Sequence, residues 1–379
     1  MKIGILTYHR VINEGSVLQA YCSQRWLSNR YPGASVEIID YRPSFLEKRE
    51  FFKQFRKRPP FLNFTEISKS RKINQFRNNK LSYTASTCQS DKLADAQDFI
   101  QRQGFEAICV GSDTVWEVRE NGGAPLAPNI YFLPEINVKK LGFAVSMDQT
   151  DDNLLVGDRA SKITRLINDF KYVGYRDQVT KSYLDNLGVN KKNQNFMPDP
   201  SLLWDFTELK EESSLNVHSN AKWVGVAVGT PSVRLKITKA LVAKGFKVVN
   251  LLGLPVKGQI AMPHFTAYGE HLGLISKLNL MVTDRFHQSI MALRLSNAPI
   301  VFLENSQKYH DKPSKGRDLF NRLNVEFNIV THDMLSDINE RISGVVEQWQ
   351  DRAIDGKALI AGLLKQSEKS IHNFDQSLK

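Results

Sequence analysis

At the start of the chain, apolar residues fall into two short runs separated by a longer periodic stretch. Lys2–Tyr8 and Val36–Ile39 are nearly continuous apolar runs. Between them, Ser16–Asn29 carries Val17, Leu18, Tyr21, Trp26 and Leu27 toward one side of an amphipathic helix. Short apolar runs without alternation suit strands buried on both faces, so this opening predicts strand, helix, strand in a parallel sheet.

The same grammar continues. Asp91–Arg102 predicts a helix and Ala107–Val110 a strand; Lys140–Val145, the helix Ala160–Phe170 and the strand Tyr172–Tyr175 follow. It begins again with the strand Trp223–Val228, the helix Ser232–Lys244 and the strand Lys247–Leu252. Helix His271–Lys277, strand Leu280–Thr283, helix His287–Leu295 and strand Pro299–Leu303 complete that series, and Leu335–Leu378 reads as helical. The 379 residues exceed what one hydrophobic core usually organises. The expectation is therefore two doubly wound, Rossmann-like α/β domains facing across a cleft.

The first domain is expected over residues 1–210 and the second over 211–379, joined by the acidic, then Ser/Asn-rich stretch Asp205–Ala221. The C-terminal helices are expected to pack back onto the first domain. The segment Arg42–Thr87 interrupts the first series, and its Arg58-Pro59-Pro60 argues for inserted helices or a hairpin rather than a core crossover.

Composition narrows the class. With 41% hydrophobic and 24% charged residues the chain reads as an ordinary folded protein. No run approaches the roughly 18 apolar residues of a membrane span. The opening segment also lacks the apolar core and cleavage site of a secretory signal, so a cytoplasmic protein is expected. Three cysteines, Cys22, Cys88 and Cys109, have no metal-like spacing and fit buried thiols in a reducing compartment.

The net charge is +11, and its surplus is concentrated: Lys48 to Lys80 holds eleven Lys or Arg against Glu50 and Glu66. That stretch suits a solvated helical insertion or a surface meeting anionic lipid or an acidic substrate. No nucleic-acid module accompanies it, and no nucleic-acid partner is expected.

In doubly wound sheets, ligands bind beyond the carboxyl ends of the strands. Four such positions carry unusual residues. Asn13-Glu14-Gly15-Ser16 links the first strand to its helix, where a helix N-terminus can hold an anion. Val110-Gly111-Ser112-Asp113 follows an apolar strand; Asp113 there could accept from a hydroxyl or cap a helix. Tyr175-Arg176-Asp177 ends another strand, with Arg176 either a fork for an anion or a partner for Asp177. Thr283-Asp284-Arg285-Phe286-His287 brings a guanidinium and an imidazole to the start of a helix, a pair able to hold an anion and exchange a proton over it. Lys308, His310 and Lys312 follow the next strand.

At these residues the sequence resembles the polysaccharide pyruvyl transferase family. The matching pieces are Ile3–Thr7 with Asn13–Tyr21, Val110–Asp113 with Trp116, Phe143–Ser146, Arg176-Asp177, Asp199–Leu203, and Arg285–His287 with Ile290 and Ala292-Leu293. The chain departs from the family pattern at Glu14, at Met147-Asp148 and at Gln288, which bears on the acceptor more than on the donor.

The resemblance implies a glycosyltransferase-B-like fold. It also implies transfer from phosphoenolpyruvate to a sugar of a surface polysaccharide or a lipid-linked precursor, giving a pyruvate ketal and phosphate. It places Arg176, Arg285 and His287 at the donor, with Lys308 nearby. Asn13, Gly15, Ser16, Gly111, Ser112, Asp113, Ser146 and Asp199 are expected to serve substrate binding. A donor carrying a phosphate and a carboxylate calls for fixed cations, with no metal or other cofactor expected. His287 would be the acid/base, and Arg285 and Arg176 would clamp the anionic ends. Two other readings stand beside this one: a nucleotide-sugar glycosyltransferase of the same build, and an inactive binding protein of polysaccharide assembly. In the preferred reading the basic stretch docks the enzyme at an anionic membrane face.

Overall fold

The computed structural model describes residues 1–55, 60–213, 215, 221–262, 267–305, 309 and 312–379; for 53–55 and 60–66 it describes the backbone alone. The chain divides into two compact units. One comprises Met1–Arg56, Ile73–Trp204 and Gln366–Lys379, the other Lys57–Lys72 and Asp205–Lys365.

The first unit is built on a parallel sheet of β1 (Lys2–Leu6), β2 (Ser35–Ile38), β3 (Ala107–Val110), β4 (Lys139–Val145), β5 (Tyr172–Tyr175) and β6 (Gln194–Phe196). Their order is β2-β1-β3-β4-β5-β6. Ile3 lies opposite Val36 and Ala107, and Ile5 opposite Ile38 and Cys109. Nearly every residue of β1, β3 and β4 is buried, because helices cover a parallel sheet on both faces. Helix α1 (Glu14–Arg30) departs from the amphipathic expectation: it is buried around most of its circumference, including Gln19, Ser23 and Gln24. Its polar positions are satisfied inside, with Gln24 donating to the carbonyls of Val36 and Ser82 at 3.0 and 2.8 Å.

The interruption of the series is helical. Helices α2 (Ser44–Phe55) and α3 (Pro60–Lys80) form it, with Pro60 at the first helical position, where a missing N–H costs nothing. A short parallel ladder of Tyr41–Arg42 with Cys88–Gln89 closes it. Helices α4 (Leu93–Arg102), α5 (Gly157–Asn168), α6 (Gln178–Asn186) and the single turn α7 (Pro200–Leu203) complete the crossovers.

The second unit repeats the plan with β7 (Trp223–Ala227), β8 (Lys247–Asn250), β9 (Gln259–Ala261), β10 (Leu280–Thr283), β11 (Ile300–Glu304) and β12 (Ile329–Thr331). All neighbours are parallel and the order is β9-β8-β7-β10-β11-β12, that of the dinucleotide-binding sheet. Helices α8 (Pro231–Ala243), α9 (Tyr268–Ile275), α10 (Phe286–Leu295), α11 (Lys315–Arg322), α12 (Ile338–Asp351) and α13 (Gly356–Gln366) belong to this half of the chain. Within the stretch read as a linker, Leu209 is buried and the Glu211 N–H donates to the Gly269 carbonyl at 3.0 Å, so that part packs on α9. Residues 214 and 216–220 of that stretch lie outside the described ones.

The final helix, α14 (Glu368–Leu378), is part of the first unit. Phe374 enters an aromatic cluster with Trp26, Phe143 and Tyr172 at ring-centroid distances of 5.7, 5.3 and 5.3 Å. Asp375 pairs with Arg30 and accepts from the Tyr31 hydroxyl at 2.5 Å. Cys22 and Cys109 are buried thiols, and burial pushes Cys109 above its usual range; Cys88 is half-buried, contrary to expectation. No helix among the described residues is long and apolar enough to cross a membrane.

Replacing Phe374 by alanine empties the centre of that cluster. Phe374→Ala is expected to cost about 3–5 kcal/mol in urea-induced unfolding. A loss below about 1 kcal/mol would show that α14 is not needed for the unit's stability.

Candidate functional site

The first unit gathers five of its expected residues, Ser16, Asp113, Ser146, Arg176 and Asp199, beyond the carboxyl ends of β1, β3, β4, β5 and β6. Arg176, directly after β5, is the centre, with a side chain only 1% exposed. Its Nη1 donates to Asp199 Oδ2 at 2.9 Å; Nη2 lies 3.5 Å from Asp113 Oδ1 and Nε 3.8 Å from Asp177 Oδ2. Burial works against the charged guanidinium, but Asp199, Asp113 and Asp177 outweigh it and hold its pKa above the ordinary value.

Each carboxylate is itself fixed. Asp177 caps α6 through the Thr180 N–H and accepts from the Ser146 hydroxyl at 2.6 Å. Asp199 caps α7, taking the Ser201 N–H at 3.0 Å, the Ser201 hydroxyl at 2.5 Å and Gln19 Nε2 at 2.5 Å. Asp113 accepts from the Ser16 hydroxyl at 2.6 Å. The Ser112 carbonyl accepts from the Thr7 hydroxyl at 2.9 Å.

Backbone shape puts these groups in place. Gly111 has φ +114°, and a Cβ there would sit 2.3 Å from the Phe143 carbonyl oxygen, so glycine is required. The register of β4 against β5 shifts between Gly142 and Val145, with Ala144 at φ 53°. That bulge re-aims Val145 and Ser146 toward Asp113 and Asp177. Asn13 caps α1, its side chain accepting from the Gly15 N–H at 2.9 Å, which leaves Ser16 in the first turn facing Asp113.

Several expectations change on this geometry, since Ser112 and Asp199, expected to bind substrate, are buried too. Arg176 is not an open fork for an anionic donor, because three carboxylates already surround it and it has almost no exposed surface. Ser146 is fully buried and holds Asp177 rather than lining an open surface. Gln19, part of the Asn13–Tyr21 match but given no role in it, belongs to the network through Asp199.

In the second unit, Arg285 occupies the N-cap position of α10, just beyond the carboxyl end of the central strand β10. Its side chain is 51% exposed, and its Nε lies 2.9 Å from Asp284 Oδ1. Asp284 also accepts the Gly229 N–H at 2.9 Å, tying this loop to the one after β7. A Cβ at Gly229 would lie 2.2 Å from Arg285 Nη2, so that glycine makes room for the guanidinium. Nothing in the local sequence had singled it out.

His287 is half-buried in the first turn of α10, its ring set edge-on to Phe286 at 5.1 Å. Gln288 is buried and lies 3.2 Å from His271 Nε2. An exposed guanidinium, an imidazole and a helix N-terminus at one strand end can bind an anion and move a proton beside it. Lys308 and His310 lie outside the described residues. Among the described residues no group of three His, Cys, Asp or Glu is placed to hold a metal ion.

A further cationic cluster, absent from the sequence reading, lies beyond β1 and β2. Asp40 is enclosed by His9, Arg10, Arg42 and Thr87, with His9 Nε2 at 2.8 Å and the Thr87 hydroxyl at 2.7 Å. Burial alone would raise the Asp40 pKa, yet these donors hold it far below the carboxylate range. Burial lowers that of His9, which its Asp40 contact only partly offsets.

Solved structures share this architecture at low sequence identity. A UDP-GlcNAc 2-epimerase from Neisseria meningitidis bound to UDP-GlcNAc aligns over 97% of this chain and 100% of its own, with 11% identity and a TM-score of 0.53. That from Methanocaldococcus jannaschii covers 90% of this chain and 92% of its own at 12% identity and a TM-score of 0.53. The S. aureus MnaA–UDP structure covers 98% and 97% at 9% identity and 0.54. These likenesses are to the fold, two Rossmann-like sheets as expected of a glycosyltransferase-B-like protein. No curated protein matches in sequence. The family model for polysaccharide pyruvyl transferase matches residues 13–307, which include the Asn13–Ser16, Gly111–Asp113, Arg176, Asp199 and Arg285–His287 segments, and the chain belongs to that family.

Proposed function

We propose that the protein transfers the enolpyruvyl group of phosphoenolpyruvate onto two hydroxyls of a sugar, in a surface polysaccharide or its lipid-linked precursor. The products are a pyruvate ketal and phosphate. The observation that carries this reading is the pairing of exposed Arg285 with His287 at the N-terminus of α10, in a chain of this family.

The donor bears a phosphate and a carboxylate. Arg285 supplies a fork for one of them, and the N-terminal end of α10 supplies donors and a favourable dipole for an anion. Asp284 fixes the guanidinium from one side, and about half of the Arg285 side chain stays exposed. His287 protonates the methylene carbon, and the adjacent carbon becomes electrophilic. The first sugar hydroxyl adds there and gives its proton back to the imidazole. The carbon–oxygen bond to phosphate then breaks, phosphate leaving with the electron pair. A second hydroxyl adds to the same carbon and loses its proton. One hydroxyl proton thus ends on the new methyl group and the other on phosphate.

On the acceptor side, Asp199 orients Arg176, which in turn positions Asp113. Asp113, 14% exposed, is the carboxylate with access to an incoming hydroxyl. A nucleotide-sugar donor is the second reading, motivated by the UDP and UDP-GlcNAc in the structures that share the fold. Stabilisation against heat by phosphoenolpyruvate but not by nucleotide-sugars separates the two.

The decisive assay incubates the chain with phosphoenolpyruvate and candidate glycans. Phosphate release, with a glycan mass gain equal to pyruvate less one water, is expected. His287→Ala should lower turnover by roughly 10²–10⁴-fold while phosphoenolpyruvate still binds. Near-normal turnover would remove His287 from the mechanism, and no phosphate release with any glycan would favour a binding protein.

Arg176→Met strands three carboxylates. We expect a loss of about 3–5 kcal/mol in unfolding free energy at neutral pH. Protonation discharges a carboxylate left buried without its cation, so the deficit relative to wild type should shrink as pH falls toward 4. A deficit independent of pH would contradict the charge argument.

The basic stretch around α2 also presents Phe51 and Phe52, 57% and 62% exposed with rings 5.9 Å apart, beside Lys48 and Arg49. Aromatic rings among cations suit the headgroup region of an anionic bilayer. Sedimentation with vesicles containing phosphatidylglycerol should capture the protein, less so at high salt and less so for Phe51→Ser/Phe52→Ser. Equal capture by neutral vesicles would rule out this attachment.

A further inference from the structure

The cluster beyond β1 and β2 contains one more cation than its carboxylate can hold. Arg10 and Arg42 both pair with Asp40. Arg77, from the end of α3, reaches the same place and is only 6% exposed. Its Nη1 donates to the His9 carbonyl at 3.1 Å and its Nη2 to Asn74 Oδ1; it has no ion pair among the described residues. Burial, then the neighbouring Arg10, lower its pKa to about 10, with Tyr83 and Glu47 opposing and Arg42 adding to the fall. Glu50, the other nearby acid, accepts from the Ile12 N–H at 3.1 Å and lies 3.8 Å from Arg49.

A buried cation without a carboxylate is costly, and the cost is relieved when an anion enters. Two further atoms are left over at this spot. Arg77 Nε and the Tyr83 hydroxyl are both shielded and have no hydrogen-bond partner among the described residues. Tyr83 is stacked under the Arg10 guanidinium at 4.9 Å and beside His9 at 5.5 Å, so its hydroxyl belongs to the same cluster. Arg10 and Arg42 keep 17% and 25% of their side-chain surface exposed, which leaves the cluster open to a ligand. The location, at the carboxyl ends of two neighbouring parallel strands, is where this class of sheet takes ligands.

We infer that Arg10, Arg42, Arg77 and Tyr83 form a second oxyanion site, separate from Arg285 and His287, which takes a phosphoryl group of the acceptor. The assignment of that anion to the acceptor rests on the proposed transferase reaction; the anion site itself does not. Guanidinium forks and a phenolic donor match a tetrahedral oxyanion with several acceptor oxygens. A diphosphate linking a sugar to a lipid and a phosphate on the sugar itself share this chemistry.

The test measures pyrophosphate and inorganic phosphate binding to the full chain by calorimetry, in an Arg285→Gln background that weakens the proposed donor site. Saturable pyrophosphate binding is expected there, weakened tenfold or more by adding Arg10→Gln and Arg42→Gln. Tyr83→Phe, which removes a hydroxyl without a described partner, should weaken it several-fold with little change in Tm. This decides the matter even if the arginine variant fails to fold. Tighter binding of pyrophosphate than phosphate points to the lipid diphosphate, and the reverse to a sugar phosphate. No binding in the Arg285→Gln background, or binding unchanged by Tyr83→Phe and by the arginine pair, overturns the site. Phosphoenolpyruvate binding to the Arg10→Gln/Arg42→Gln chain with intact Arg285 is measured alongside. Its absence there and in wild type would count against the transferase reading and leave the pyrophosphate result standing.

Discussion

A single guanidinium sets the geometry of the first unit's site. Arg176 comes off β5 into a space where Asp113, Asp177 and Asp199 converge, and its charge offsets the cost of burying theirs. Two of those carboxylates also cap helices, so the ion cluster positions α6 and α7 as well as the loop after β3. Ser16 and Gln19 then attach α1 to the same centre through Asp113 and Asp199. Loops after separate strands are thereby held to one another by charge, in a region where apolar packing alone would not specify their positions.

The second unit treats its arginine differently. Among the described residues Arg285 pairs with one carboxylate, at its side, and half of its side-chain surface remains exposed. A guanidinium saturated by aspartates organises protein, whereas one held on a single flank can organise a ligand. Gly229 completes that arrangement by what it lacks, since a methyl group there would collide with the guanidinium. The cluster around Asp40 lies between these extremes. Arg10 and Arg42 share a carboxylate, while Arg77 is buried and has no ion pair among the described residues.

Much of the fold was legible because parallel strands, covered on both faces, must be written as short apolar runs. The apolar runs Ala107–Val110 and Leu280–Thr283 have the same bounds as the strands they form. The strands Gln194–Phe196, Gln259–Ala261 and Ile329–Thr331 were not read, since three residues at or near a sheet edge carry too little apolar signal and are defined by the neighbour they pair with. Helix α1 departs from its amphipathic pattern for a related reason. Its glutamines and serine look like a solvent face, yet backbone carbonyls and Asp199 receive the glutamine amides inside the unit.

The site divides along the same line. Residue types in sequence order at strand ends were enough to establish the family and to single out Asn13–Ser16, Gly111–Asp113, Arg176, Asp199 and Arg285–His287. Those signals are local: a turn, a cap, a charge beside a glycine. Which arginine is enclosed and which is open depends on groups brought from far along the chain. Asp199 and Asp113 reach Arg176 across 23 and 63 positions, and Arg77 reaches the His9 carbonyl across 68. Such distances carry no pattern in the sequence, because the energy of a buried charge is set by what surrounds it after folding and not by its neighbours along the chain.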